Sequence, residues 1–169
     1  MLFRSDFREG VYNLQAGEPV QAARRLERAL AQHRLPAVAH AYLALAWHEA
    51  GFAEKARAEL KRALYQPLQP EPDRQFAQAV QLQLAGQREA ARGLLERRAT
   101  ATQQPAALAD LALLEEQLGR PEAGPRWKQV AVKSPNHPAA HLHTAMGYAK
   151  QNRWKEAVLV RRRRSRRVA

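Results

Sequence analysis

The chain has 169 residues, 46% of them hydrophobic, which is room for one ordinary domain or two small ones and too apolar for general disorder. Mean hydropathy is −0.58, and no stretch approaches the ~20 apolar residues that a bilayer span needs, so membrane insertion is not expected. The absence of cysteine excludes disulfides, thiol catalysis and thiolate metal sites. Lys and Arg number 28 against 16 acidic residues, a formal charge of +12, and half of that excess is Arg161, Arg162, Arg163, Arg164, Arg166 and Arg167. The opening residues MLFRSDFREG carry charges where a secretory signal needs an apolar stretch. A cytoplasmic location is therefore the expectation, or a periplasmic one if the chain is a segment of an exported protein. The Ala/Arg-rich usage points to a bacterial source.

Taken in chain order, the helical segments come in pairs. First helices are predicted near 2–15, 37–49, 72–84, 105–117 and 138–150, and second helices near 18–33, 53–66, 88–99, 124–133 and 154–165. Ala, Leu, Arg, Gln and Glu dominate these segments and β-branched residues are sparse, as helices prefer. Apolar residues recur at helical spacing, as in Leu43, Trp47 and Ala50, and then Ala56, Leu60, Ala63 and Leu64. Each pair is joined by a tight turn at Gly17, Gly51, Gly86, Gly119 or Asn152, residues that tolerate the left-handed backbone that ends a helix. A small residue, Gly10, Ala44, Ala79, Ala112 or Ala145, precedes each turn, where two helix axes can cross closely. An alanine (Ala22, Ala56, Ala91, Ala123, Ala157) follows each turn, and Pro36, Pro70, Pro105 and Pro138 mark boundaries; all four markers repeat every 32 to 35 residues.

A unit of this length with a small residue before the turn, a turn glycine, a following alanine and a closing proline resembles the tetratricopeptide repeat. The second unit carries it best, in Leu43, Ala44, Trp47, Gly51, Ala56, Leu60, Ala63 and Pro67, and the fifth through Ala145, Tyr148, Ala157 and the string NRWKEA. The expected fold is therefore all-α: an α-solenoid of about five helix–turn–helix repeats, near 2–35, 36–70, 71–104, 105–137 and 138–160, followed by an arginine-rich tail at 161–169. The resemblance implies a right-handed superhelix whose first helices line a concave groove that holds a partner segment.

Several positions depart from the pattern. Asn13 stands where an aromatic is usual, and Arg98 where a small second-helix residue belongs. In the fourth unit Gly124 and Pro125 fall where the second helix should already be running, so that helix is expected to restart at Pro125 and to turn Trp127 and Val130 toward the core. In the fifth, Arg161 and Arg164 replace the apolar residues of the second helix, which is then not expected to pack normally. With no polar capping helix after it, the chain reads as a segment of a longer protein or a truncated one, open to self-association through uncapped ends.

By the resemblance, the groove falls to Phe7 and Val11, Ala41 and Leu45, Phe76 and Val80, Ala109 and Leu113, and Leu142 and Met146. These pairs are apolar and lack the Lys, Asn and Arg that grip a C-terminal carboxylate in one subclass, so an apolar or amphipathic partner segment fits better than an acidic tail. The same residues could instead serve mainly to pack neighbouring helices. If they bind, Leu45→Asp or Val80→Asp is expected to abolish capture without unfolding.

Other constellations read as structural. Trp47, Trp127 and Trp154, with Tyr42, Tyr65 and Tyr148, suit a packed repeat core better than base stacking. His137, His141 and His143 lack the spacing and partners of a metal site and read as solvent-facing or groove-edge residues, so neither metal nor cofactor is expected. Glu115 and Glu116 diverge by about 100° on a helix and read as a solvated face. No catalytic motif is present, which points away from an enzyme.

The arginine run is read either as an incidental or tag-like terminus or as an electrostatic contact. Two functions follow: a non-enzymatic scaffold that binds a helix or extended segment of another protein, or a nucleic-acid or anionic-surface binder driven by the tail, whose affinity would fall steeply with salt.

Overall fold

The computed structural model describes residues 3–32, 35–65 and 70–165, with side chains from residue 6 to residue 160 of these. Ten helices account for nearly all of the described residues, and no strand occurs among them. They are α1 (Phe3–Gln15), α2 (Pro19–Gln32), α3 (Ala37–Glu49), α4 (Ala53–Leu64), α5 (Glu71–Leu84), α6 (Arg88–Thr102), α7 (Pro105–Gln117), α8 (Ala123–Lys133), α9 (Pro138–Lys150) and α10 (Trp154–Ser165). Consecutive helices pack as hairpins: α1 with α2, α3 with α4, α5 with α6, α7 with α8, and α9 with α10. The architecture is that of an all-α helical-repeat protein.

The turns follow from local chemistry. Gly17, Gly51, Gly86 and Gly119 have φ of 80°, 85°, 76° and 68°, and Asn152 has 58°. At each, the residue itself donates its N–H to the carbonyl three back and the next residue donates to the carbonyl five back. The first turn shows the pattern with Gly17 to Leu14 and Glu18 to Asn13, and the last with Asn152 to Ala149 and Arg153 to Tyr148. This doubly bonded cap satisfies carbonyls that the helix end would otherwise strand. The small residues before the turns act as expected. A Cβ on Gly10 would sit 2.8 Å from Leu26 Cγ of the facing helix, and Ala44, Ala79 and Ala112 are fully buried.

The chain divides into two compact units, Met1–Thr102 and Gln103–Ala169. In the first, α3 packs on α2 and more lightly on α1, and α5 packs on both α3 and α4. Helix α3 is accordingly buried around most of its circumference, from Ala37 to Trp47, whereas α4 buries only the stripe Ala56, Leu60 and Ala63. Arg98, out of place in the repeat pattern, is buried: its guanidinium lies 4.7 Å from the Phe76 ring centre and 3.4 Å from the Tyr42 hydroxyl. The long stem lets an arginine fill a small-residue site while its planar head stacks on an aromatic face. Burial raises the pKa of Asp73, and the charge of Arg98 partly opposes that rise.

In the second unit α7 and α8 form one hairpin, α9 and α10 another, and α9 packs on α8. Helix α8 begins at Ala123, two residues before the expected restart at Pro125. Gly124 and Pro125 occupy its first turn, where a missing N–H breaks no intrahelical bond. Trp127 and Val130 do face the core, at 1% and 0% exposure. Helix α10 continues through residues 161–165 despite the arginines. Arg161, Arg162, Arg163 and Arg164 thus lie on a helix, while Arg166, Arg167 and Pro67 lie outside the described residues.

Candidate functional site

The ten residues assigned to a groove do not form one open apolar strip. Val11, Ala41, Leu45, Phe76, Val80 and Ala109 are buried, and Phe7 and Leu113 are half-buried. Tyr42 connects the first two hairpins to the third, edge-on to Phe7 at 5.9 Å and tilted against Phe76 at 4.2 Å between ring centres. An aspartate at Leu45 or Val80 would therefore place a charge in the core and destabilise the fold, rather than reporting on binding alone.

Leu142 and Met146 are different. They are exposed at 37% and 41%, although their repeat equivalents Ala41, Phe76 and Ala109, and Leu45 and Val80, are buried. They open onto a cleft of about 460 Å³ lined by His141, Leu142, Ala145, Met146 and Ala149 from α9 and by Trp154, Ala157 and Val158 from α10. Trp154 is 62% exposed, and Val158 and Leu159 are also exposed. The expectation that all three tryptophans are core residues therefore holds for Trp47 and Trp127 and fails for Trp154. The apolar surface of α10 lies at Trp154, Ala157, Val158 and Leu159, before the arginine run, so the hairpin carries an apolar cleft flanked by charge. Contiguous exposed apolar surface of this kind marks interaction sites.

Beneath the cleft lies a polar cluster that the sequence reading had assigned to solvent. Glu115 is fully buried and its two carboxylate oxygens accept from Arg126 Nε at 2.9 and 2.7 Å. Glu116 Oε2 accepts from Trp127 Nε1 at 3.1 Å and lies 2.6 Å from His143 Nδ1, while Lys150 Nζ is 3.5 Å from Oε1. The Trp127 and His143 rings stack in parallel at 4.3 Å. The His143 hydrogen bond is the main reason the Glu116 carboxyl is held below its usual pKa; burial opposes this, and Trp127 and Lys150 assist it.

His137 is also buried, contrary to the solvent-facing expectation, and its Nδ1 accepts from the N–H of Ala140 as the cap of α9. Its pKa is lowered to about 4, first by desolvation and then by the nearby His141 and His143. His141 Nε2 donates to the Pro135 carbonyl at 2.6 Å. These groups saturate one another and fix the floor of the α9–α10 hairpin. No group of three potential metal-ligating side chains occurs among the described residues, and no described helix is long and apolar enough to cross a membrane.

No protein-family model matches the sequence, and no curated protein sequence matches it. Solved structures do match it. A crystal structure of MamA has a TM-score of 0.55 at 16% identity, covering 93% of this chain and 92% of that one. A second, of MamA MSR-1, has a TM-score of 0.53 at 19% identity and covers 100% of both chains. A third, of MamA AMB-1, has 0.51 at 20% identity over 96% of each. At these identities the likeness is one of fold.

Proposed function

We propose that the chain is a tetratricopeptide-type repeat protein that works as a non-enzymatic binding module, and that it captures an apolar segment of another protein in the α9–α10 cleft. The observation that carries this reading is the exposure of Leu142 and Met146 at positions whose equivalents are buried in earlier repeats. A helical-repeat protein is stable because each hairpin covers the apolar face of its neighbour. A hairpin whose face stays open is a site ready for an external segment. The buried polar groups below it serve positioning: Glu115, Glu116, His137 and His143 each have partners within the unit and hold α9 against α8.

The experiment is selection of displayed peptides on the immobilised full chain, repeated on Met146→Asp. Selected segments are expected to be rich in Leu, Ile, Val or aromatic residues and to lose capture by Met146→Asp, with the circular dichroism and unfolding midpoint of that variant unchanged. Peptides that bind the variant equally well, or a selection with no apolar consensus, would overturn the reading.

A further inference from the structure

We infer that the occupant of the α9–α10 cleft is an amphipathic helix of another protein, apolar on one face and acidic along its flanks; this rests on the binding role proposed above. Two independent observations carry it. The first is internal precedent. In the first unit the α3–α4 hairpin is covered by a single helix, α5, which packs on both of its helices. That helix has Glu71 and Asp73 in its first turn and buries Phe76, Ala77, Ala79 and Val80. A face made of two antiparallel helices presents a long groove, and an i, i+3, i+4 stripe of apolar side chains fills such a groove along its length. The α9–α10 pair repeats this geometry, with Leu142 and Met146 one turn apart on one wall and Trp154 and Val158 one turn apart on the other.

The second observation is charge. Between Pro138 and Ser165 stand Lys150, Arg153, Lys155, Arg161, Arg162, Arg163 and Arg164, against a single carboxylate, Glu156. Glu156 is already engaged by Arg153 at 2.8 Å. Lys150 and Lys155 are exposed at the turn end of the cleft, and the arginines follow Val160 on the same helix. Cationic residues therefore stand at both ends of the apolar cleft. A docked helix with carboxylates on its flanks would meet opposite charge at each end, whereas a basic helix would be repelled. The apolar walls provide the burial and the basic rim selects the sign of the ligand. Nucleic acid would use the cations and leave Leu142, Met146 and Trp154 uncovered.

The test titrates the full chain with a stapled helical peptide that has Leu and Ala on one face and Glu on its flanks, and with its counterpart carrying Lys in place of Glu. At low salt the Glu peptide is expected to bind about tenfold or more tighter than the Lys peptide, the ratio shrinking as added salt screens the rim. Met146→Asp is expected to abolish binding of the Glu peptide; the double variant Arg161→Glu/Arg162→Glu is expected to erase the preference while keeping apolar binding.

Equal binding of the two peptides, both lost with Met146→Asp, would overturn the acidic assignment and leave the binding role intact. Binding of neither peptide, together with a concentration-dependent dimer that Met146→Asp dissociates, would make a second copy the occupant and overturn the inference. An RNA oligonucleotide retained by Met146→Asp in the absence of peptide binding would overturn both readings.

Discussion

The second and fifth hairpins share a register but not an environment. In α3–α4, ten residues of α3 from Ala37 to Trp47 are buried, along with Ala56, Leu60 and Ala63 of α4. In α9–α10 only Ala139, Ala140 and Ala157 are buried hydrophobic residues among the described side chains. Both hairpins end their first helix with the same doubly bonded cap, at Gly51 and at Asn152. The local code that makes a hairpin is thus independent of the neighbour that makes a core. The lesson is that repeat identity in sequence does not predict burial; the covering element does.

The widest contrast is expected at equivalent first-helix positions. Phe76→Ala, at a fully buried ring that contacts both Tyr42 and Arg98, is expected to lower stability by about 3–5 kcal/mol. Leu142→Ala, at the corresponding exposed position, is expected to cost about 1 kcal/mol or less. Urea unfolding of the two variants checks this, and similar losses at both sites would mean that the fifth hairpin is covered in solution.

A pH series sharpens the contrast from inside the second unit. The folded pKa of His137, about 4, lies below its ordinary value near 6.5, so its neutral form is the one the fold prefers. Its contribution is complete above pH 6.5 and is lost as pH falls from there toward 4, by up to about 3 kcal/mol at the conversion of 1.36 kcal/mol per pKa unit. The lowered Glu116 carboxyl adds a loss in the same direction at still lower pH, because its contribution is present above its ordinary value and disappears as the folded carboxyl is protonated. His137→Asn, which keeps a capping acceptor and removes the titrating group, is expected to flatten the melting-temperature profile between pH 6.5 and 4. An unchanged profile would remove His137 as the source.

The smallest effects belong to the shared turn. Gly51→Ala forces a Cβ into a residue at φ 85° and is expected to cost about 1 kcal/mol or slightly more. Asn152→Gly relaxes the matching position at φ 58° and is expected to stabilise by about 0.5 kcal/mol, read as opposite shifts of the unfolding midpoint.

Much of the fold was legible because its signals are local. Turn glycines, the alanines after them and the small residues before them placed nine of the ten helix starts within a residue, and the one at Pro36–Ala37 without error. The start of α8 was read late where Pro125 was taken as a restart; a proline in the first turn and a proline just before a helix look alike until the preceding backbone is seen. The site was legible only in part. Leu142 and Met146 lie in the cleft, yet the eight residues given the same role in earlier repeats are buried or half-buried. Trp154 was assigned to the core, and Glu115, Glu116, His137 and His143 were assigned to solvent. Their pairing with Arg126, Trp127 and one another joins three different helices, and no spacing within one helix signals it.

The amino-acid sequence by itself determined the period, the helices and the left-handed caps, because each depends on backbone preferences and contacts within a few residues. Tertiary structure alone decided which apolar stripe became core and which stayed open, and whether a charged side chain such as Arg98 or Glu115 was buried with a partner. Those outcomes depend on desolvation by segments distant in the chain, and an identical heptad of residues gains or loses that burial according to what packs above it.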